Sequence, residues 1–98
     1  MKASPGQVVH QARQASLADI DAAERHIRSK VRMVVADETS FGVLSTGERI
    51  AVAFVLDRYD LIQRAWGTMA EAVSRLGPQW TAAALRVQRN GWQNHPAP

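Results

Sequence analysis

Residues 45–66 read STGERIAVAFVLDRYDLIQRAW and decide the fold class of this chain. Ser45 and Glu48 match a capping box, in which each side chain accepts a hydrogen bond from the other residue's backbone N–H at the start of a helix. The apolar residues that follow cover most of the helix circumference. We therefore predict a helix from Ser45 to Trp66 that is central and buried on more than one side.

A second long helix is predicted before this central one. Ser16 and Asp19 are a helix-start signal, because the hydroxyl accepts from an unpaired backbone N–H and the carboxylate suits the positive helix end. Apolar residues with helical spacing then form one narrow face, which consists of Leu17, Ile20, Ile27, Val31 and Val34. Residues 39–44, TSFGVL, alternate weakly and are predicted to form one short strand.

Two further helices are predicted after the central one. Gly67 ends the central helix, and Thr68 with Glu71 forms a second capping box that opens a helix ending near Leu76. Pro78 suits the first turn of a last helix, which is expected to end at about Asn90. The predicted fold class is thus mainly α, with three to four helices and one short strand.

Length and composition predict a single domain with mobile ends. The chain has 98 residues, of which 46% are hydrophobic, and we expect one helical domain over residues 16–90, a flexible arm over 1–15 and a flexible tail over 91–98. No stretch approaches the roughly 18 apolar residues of a membrane span, so a cytoplasmic protein without a membrane partner is expected. Cysteine is absent, which excludes disulfides and thiolate metal sites.

The charge is unevenly distributed along the chain. Residues 1–36 and 61–98 each carry a net charge of +3, and residues 37–60 carry −3. Such asymmetry is typical of a protein with a polyanion partner, and equally of a fold whose segments neutralise one another.

The strongest concentration of positive charge is RHIRSKVR at residues 25–32. On a helix, Arg25, Arg28 and Arg32 share one face at steps of three and four, where guanidinium groups can bind successive phosphates. A solvated helix face paired with the acidic middle segment is the alternative. In a strand, by contrast, Arg28, Lys30 and Arg32 would point the same way, as in a two-stranded ribbon that reads a major groove. We prefer the helix because the apolar spacing continues to Val34.

Catalysis and metal binding have little support in the sequence. The three histidines, His10, His26 and His95, lie far apart in sequence and do not have the spacing of metal ligands. The sequence also contains no Gly-rich phosphate loop. Asp57 and Asp60 are typical of a charged outer face. We therefore expect no enzyme activity, no cofactor and no metal, and only Trp92 is a candidate platform for base stacking.

Residues 39–76 resemble the ribbon-helix-helix family of bacterial and phage DNA-binding proteins. The resemblance rests on the short predicted strand, the helix opened by Ser45, the turn at Gly67 and the capped helix that starts TMAEAVSR at Thr68. It implies an intertwined homodimer whose paired strands enter the major groove while Thr68 and the adjacent backbone contact a phosphate. The chain departs from the family in its longer central helix, its additional first helix and a strand without Arg or Lys.

Together these features predict a small, dimeric, basic DNA-binding protein that regulates transcription. Its expected DNA contacts are Arg25, Arg28, Lys30, Arg32 and Thr68. The alternative is a protein–protein interaction module, such as an adaptor or an antitoxin-like partner, whose apolar helix faces bind another protein.

Overall fold

A computed structural model describes the backbone of residues 5–62 and 66–93, and side chains within those ranges from residue 17 onward. It contains four α-helices, α1 (Pro5–Ala36), α2 (Thr46–Val55), α3 (Met69–Ser74) and α4 (Gly77–Asn90). Two 3₁₀ helices, Glu38–Val43 and Tyr59–Leu61, lie on either side of α2. No residue in these ranges forms a strand.

The prediction of a strand over residues 39–44 is therefore wrong, and with it the ribbon-helix-helix fold. The Asp37 carboxylate accepts a hydrogen bond from the backbone N–H of Thr39 at 3.0 Å and caps a 3₁₀ helix instead. Arg49 donates to the carbonyls of Gly42 and Leu44 at 2.9 and 3.0 Å. Because these local bonds use the groups that a ribbon would pair with a second chain, the segment turns rather than extends.

The first helix is longer than predicted. It begins at Pro5, eleven residues before the expected start at Ser16, and proline fits there because the first turn needs no N–H donor. Residues 28–35 lie within it, so the alternative of a strand is wrong for them. Residues 1–4 of the predicted arm and residues 94–98 of the predicted tail lie outside the described residues.

The central helix is shorter than predicted and ends at Val55 instead of Trp66. Asp57 adopts a positive φ of 54°, and the N–H groups of Asp57 and Arg58 donate to the carbonyls of Phe54 and Ala53 at 3.1 and 2.9 Å. This is a Schellman motif, which glycine usually closes but aspartate tolerates. This helix end could not be predicted from local sequence, because no glycine marks it.

The capping boxes at Ser45 and Thr68 are confirmed. The hydroxyl of Ser45 accepts from the N–H of Glu48 at 3.2 Å, and the hydroxyl of Thr68 accepts from that of Glu71 at 3.1 Å. The start of the last helix is confirmed to within one residue, since α4 begins at Gly77. Gly67 precedes α3 with a φ of 79°, a conformation that glycine adopts without strain.

The core lies where α1, α2 and α4 meet. The apolar face of α1 packs against the other two helices, and α2 is buried from Ile50 to Val55 except at Phe54, which is partly buried. A smaller cluster between α2 and α3 contains Ile50, Trp66 and Ala72. Within the described part of the chain the apolar face of α1 is therefore covered from Ile27 to Val34.

Helices α1 and α4 run in the same direction. Gln79, near the start of α4, donates to the carboxylate of Asp19 at 3.1 Å, and the carbonyl of Gly91, just after its end, accepts from Arg28. None of the described helices combines the length and the hydropathy needed to cross a bilayer.

Loss of the first capping hydrogen bond is expected to destabilise the fold measurably. Ser45→Ala removes the acceptor for the N–H of Glu48 and should lower the free energy of unfolding by about 1 kcal/mol in a urea titration. Ser29→Ala, on the exposed face of α1, is the matched control and should change it by less than about 0.5 kcal/mol. Equal effects of the two substitutions would contradict the role assigned to the cap.

Candidate nucleic-acid interface

Arg28 is not on the surface where the sequence places it. Only 3% of the residue is exposed. Its guanidinium donates to the carbonyl of Gly91 at 2.5 Å and to the carboxylate of Glu24 at 3.1 Å. The expected line of three outward arginines on α1 is therefore interrupted, because the middle one joins α1 to the end of α4.

An ion-pair network surrounds this contact. The Glu24 carboxylate is 8% exposed and also lies 3.6 Å from the guanidinium of Arg86 on α4. Arg86 in turn binds the carboxylate of Asp21 at 2.9 Å. Two positive and two negative groups thus neutralise one another at the α1–α4 contact, as a buried charge requires.

Arg25 and Arg32 are exposed, as expected for DNA contacts. They are seven residues apart on α1, share one face of the helix and lie about 10 Å apart along its axis. No described side chain forms a hydrogen bond or an ion pair with either. Both guanidinium groups are therefore available to an external anion.

Arg89, near the end of α4, is a further exposed cation that the sequence analysis did not select. It lies two residues before Gly91, whose carbonyl is bound by Arg28, and Arg28 is one helical turn from both Arg25 and Arg32. Arg25 and Arg32 thus lie one turn from the buried arginine on α1, and Arg89 is close in sequence to the carbonyl that this arginine binds. No hydrogen bond or ion pair is found for Arg89 within the described residues. We call Arg25, Arg32 and Arg89 the arginine face.

The other two predicted contacts lie elsewhere. Lys30 is half-buried on the side of α1 that faces α2, where its charge acts on Glu48. Thr68 is exposed, but its hydroxyl is engaged in the cap of α3. The structure thus brings Arg25 and Arg32 together and places Arg28, Lys30 and Thr68 apart from their face.

The acidic middle segment is only partly matched with the basic ends. His26 on α1 contacts Glu48 on α2, with Nε2 and Oε2 2.5 Å apart, and stacks at an angle on Trp80. The hydrogen bond from the backbone N–H of Ser45 and the one with His26 hold the pKa of Glu48 below its usual value. Arg58, by contrast, binds Glu38 and Asp60 within the acidic segment itself, so these carboxylates do not neutralise the arginine face.

No arrangement that points to catalysis was found among the described residues. They contain no group of three or more histidine and acidic side chains that fits a metal ion. Asp60 is engaged by Arg58, while Asp57 closes the end of α2. Trp92 is half-buried and packs against the core, which leaves only part of its ring for stacking with a base.

Comparison with known proteins adds no further guide to function. No protein-family model matches the chain, and no curated protein or solved structure shows significant similarity to it.

Arg28 and Arg25 provide a direct test of this division between buried and exposed arginines. Arg28→Ala removes the donor to the Gly91 carbonyl and the nearer of the two cations at the buried Glu24 carboxylate, and it should lower the free energy of unfolding by about 3–5 kcal/mol. Arg25→Ala, one turn away and exposed, should change it by less than about 0.5 kcal/mol. Chemical denaturation measures both changes. An Arg28→Ala variant whose free energy of unfolding matches that of Arg25→Ala would contradict the buried network.

The contact between α1 and α2 is expected to depend on pH. Because the pKa of Glu48 is lowered in the folded chain, its ionised form stabilises the fold above the unfolded-state value near 4.5, and this contribution is lost as the pH falls through the lowered pKa. Denaturation should therefore show Glu48→Gln to be destabilising near neutral pH and almost neutral at about pH 2. Glu71→Gln, at the same position of the second capping box without a histidine opposite, is the control and should show a smaller change with pH.

Proposed function

We propose that this chain is a small, non-enzymatic DNA-binding protein that contacts the phosphate backbone through Arg25, Arg32 and Arg89. The observation that carries the proposal is the exposure of Arg25 and Arg32 on one face of a long helix, with no carboxylate of the described chain paired to them. Guanidinium groups suit this role because they bind phosphate oxygens through two parallel hydrogen bonds.

The geometry of the arginine face suits contacts that position the protein on a duplex. Arg25 and Arg32 lie about 10 Å apart along the helix, which is about three nucleotides of one DNA strand. Contacts of this kind to phosphates carry no sequence information. The proposed binding is therefore mainly electrostatic, and it is supported by the net charge of +3 and the pI of about 10.2.

The number of copies that bind determines how strongly salt weakens the complex. We propose a dimeric regulator of transcription, in which two arginine faces supply six phosphate contacts. For six contacts the affinity should fall by about 10³ between 50 and 200 mM salt, and for three by about 40-fold. The salt dependence therefore distinguishes a dimer from a monomer on DNA.

Fluorescence anisotropy with a labelled random-sequence duplex, titrated across this range of salt, tests the proposal. Arg25→Ala and Arg32→Ala should each reduce the slope of log affinity against log salt by about 0.9 per bound copy. Lys30→Ala is the matched control, because Lys30 is a cation of the same stretch that lies toward Glu48, and the slope should not change. Binding that does not respond to salt, or an equal effect of all three substitutions, would contradict the arginine face.

A further inference from the structure

A second surface of the molecule, distinct from the arginine face, combines an apolar cleft with acidic residues. A cleft of about 350 Å³ opens where the end of α1 meets the end of α2, and it is lined by Val34, Val35, Glu38, Leu56 and Arg58. Val35 is 50% exposed, and Tyr59, which follows Arg58, is 67% exposed. Large apolar side chains thus remain in contact with solvent at this one end of the fold. We call this surface the acidic cleft.

Four acidic residues line the acidic cleft or lie next to residues that line it. Glu38 and Asp60 both accept hydrogen bonds from Arg58 at 2.7 Å, and Asp37 and Asp57 are exposed sequence neighbours of residues that line the cleft. Arg58 is the one cation among these five residues, so their net charge is −3. An approaching cation would therefore be attracted to this rim.

Hydrogen bonds favour the ionised form of two of these carboxylates, those of Asp37 and Asp60. Hydrogen bonds from the hydroxyl and the backbone N–H of Thr39 lower the pKa of Asp37, and hydrogen bonds from Arg58 lower that of Asp60. The same bonds raise the pKa of Arg58, which holds the rim in one arrangement. Asp37 and Asp60 therefore keep their negative charge at any pH near neutrality.

The shape of the acidic cleft favours a chain segment over a small molecule. Small-molecule sites bury most of the ligand surface, whereas this cleft is shallow and open on one side, with Val35 half exposed. Its volume accommodates one large apolar side chain, while the neighbouring residues of the same segment would remain over the rim.

We propose that the acidic cleft docks a basic peptide segment of a partner protein, which inserts one large apolar side chain between Val35 and Leu56 and places flanking lysine or arginine residues against the carboxylate rim. Charge complementarity selects this occupant, because an acidic or neutral segment would not compensate the rim. The proposal does not rest on DNA binding, since the arginine face and the acidic cleft share no residue.

Binding of a fluorescein-labelled peptide, KKLKKLKK, measured by anisotropy, tests this surface. We expect binding that is lost both for KKSKKSKK, which lacks the apolar side chains, and for EELEELEE, which reverses the charge. In methyl NMR spectra the peptide should shift the signals of Val34, Val35 and Leu56. Absence of binding to KKLKKLKK, or equal binding of KKSKKSKK, would overturn the proposal.

Substitutions with matched controls locate the binding. Val35→Ser removes an exposed apolar side chain. Asp57→Asn removes one negative charge, and asparagine tolerates the positive φ of this position. Each substitution should weaken peptide binding by roughly two- to fivefold. The controls are Val43→Ser, at an apolar residue that is 80% exposed outside the cleft, and Asp19→Asn, more than about 20 Å away along α1. Controls that weaken binding as much as the cleft variants would place the peptide elsewhere and overturn the proposal.

Sedimentation of the protein without peptide tests whether a second copy of this chain occupies the cleft instead. An oligomeric state that is unchanged by Val35→Ser supports an open cleft, whether the chain sediments as a monomer or as a dimer. A dimer that Val35→Ser converts to a monomer would show that a second copy of this chain fills the cleft, and the proposed partner would then be wrong.

Discussion

The contact on which the arrangement of this molecule depends is the one between Arg28 and the end of α4. A guanidinium that is 97% removed from solvent must keep its hydrogen bonds, because an unpaired buried charge costs several kcal/mol. Glu24 on the same helix and the carbonyl of Gly91 supply those bonds. The position of α4 along α1 is therefore set by charge pairing as well as by apolar packing, which alone tolerates small shifts.

This arrangement separates the charges of the chain into two surfaces. Around the buried contact, Arg25, Arg32 and Arg89 point outward, while Arg86 is used to neutralise Glu24 and Asp21. At the end of α1 the acidic residues gather around a single arginine instead. The charge asymmetry of the sequence thus persists in the fold, and because the two surfaces are distinct, a polyanion and a basic peptide need not compete for the same residues.

The starts of α2, α3 and α4 could be predicted from the sequence, whereas the start of α1, the end of α2 and the 3₁₀ helix at Glu38–Val43 could not. Ser45 and Thr68 were identified because a capping box involves residues only three positions apart. The end of α2 was missed because Asp57 takes the left-handed conformation that normally signals glycine. The strand was wrong because the carbonyls of Gly42 and Leu44 are bound by Arg49, a contact with no pattern in local sequence.

By itself the sequence determined the helical class, the starts of α2, α3 and α4, and the concentration of arginine in residues 25–32, since periodicity, caps and composition are properties of neighbouring residues. Only the tertiary structure decided which of those arginines faces solvent. Arg28 and Arg32 are both on the arginine-rich side of α1, and they differ because the end of α4 crosses the helix at Arg28 and supplies a carbonyl there. That distinction depends on a residue 63 positions away in sequence, which no local pattern encodes.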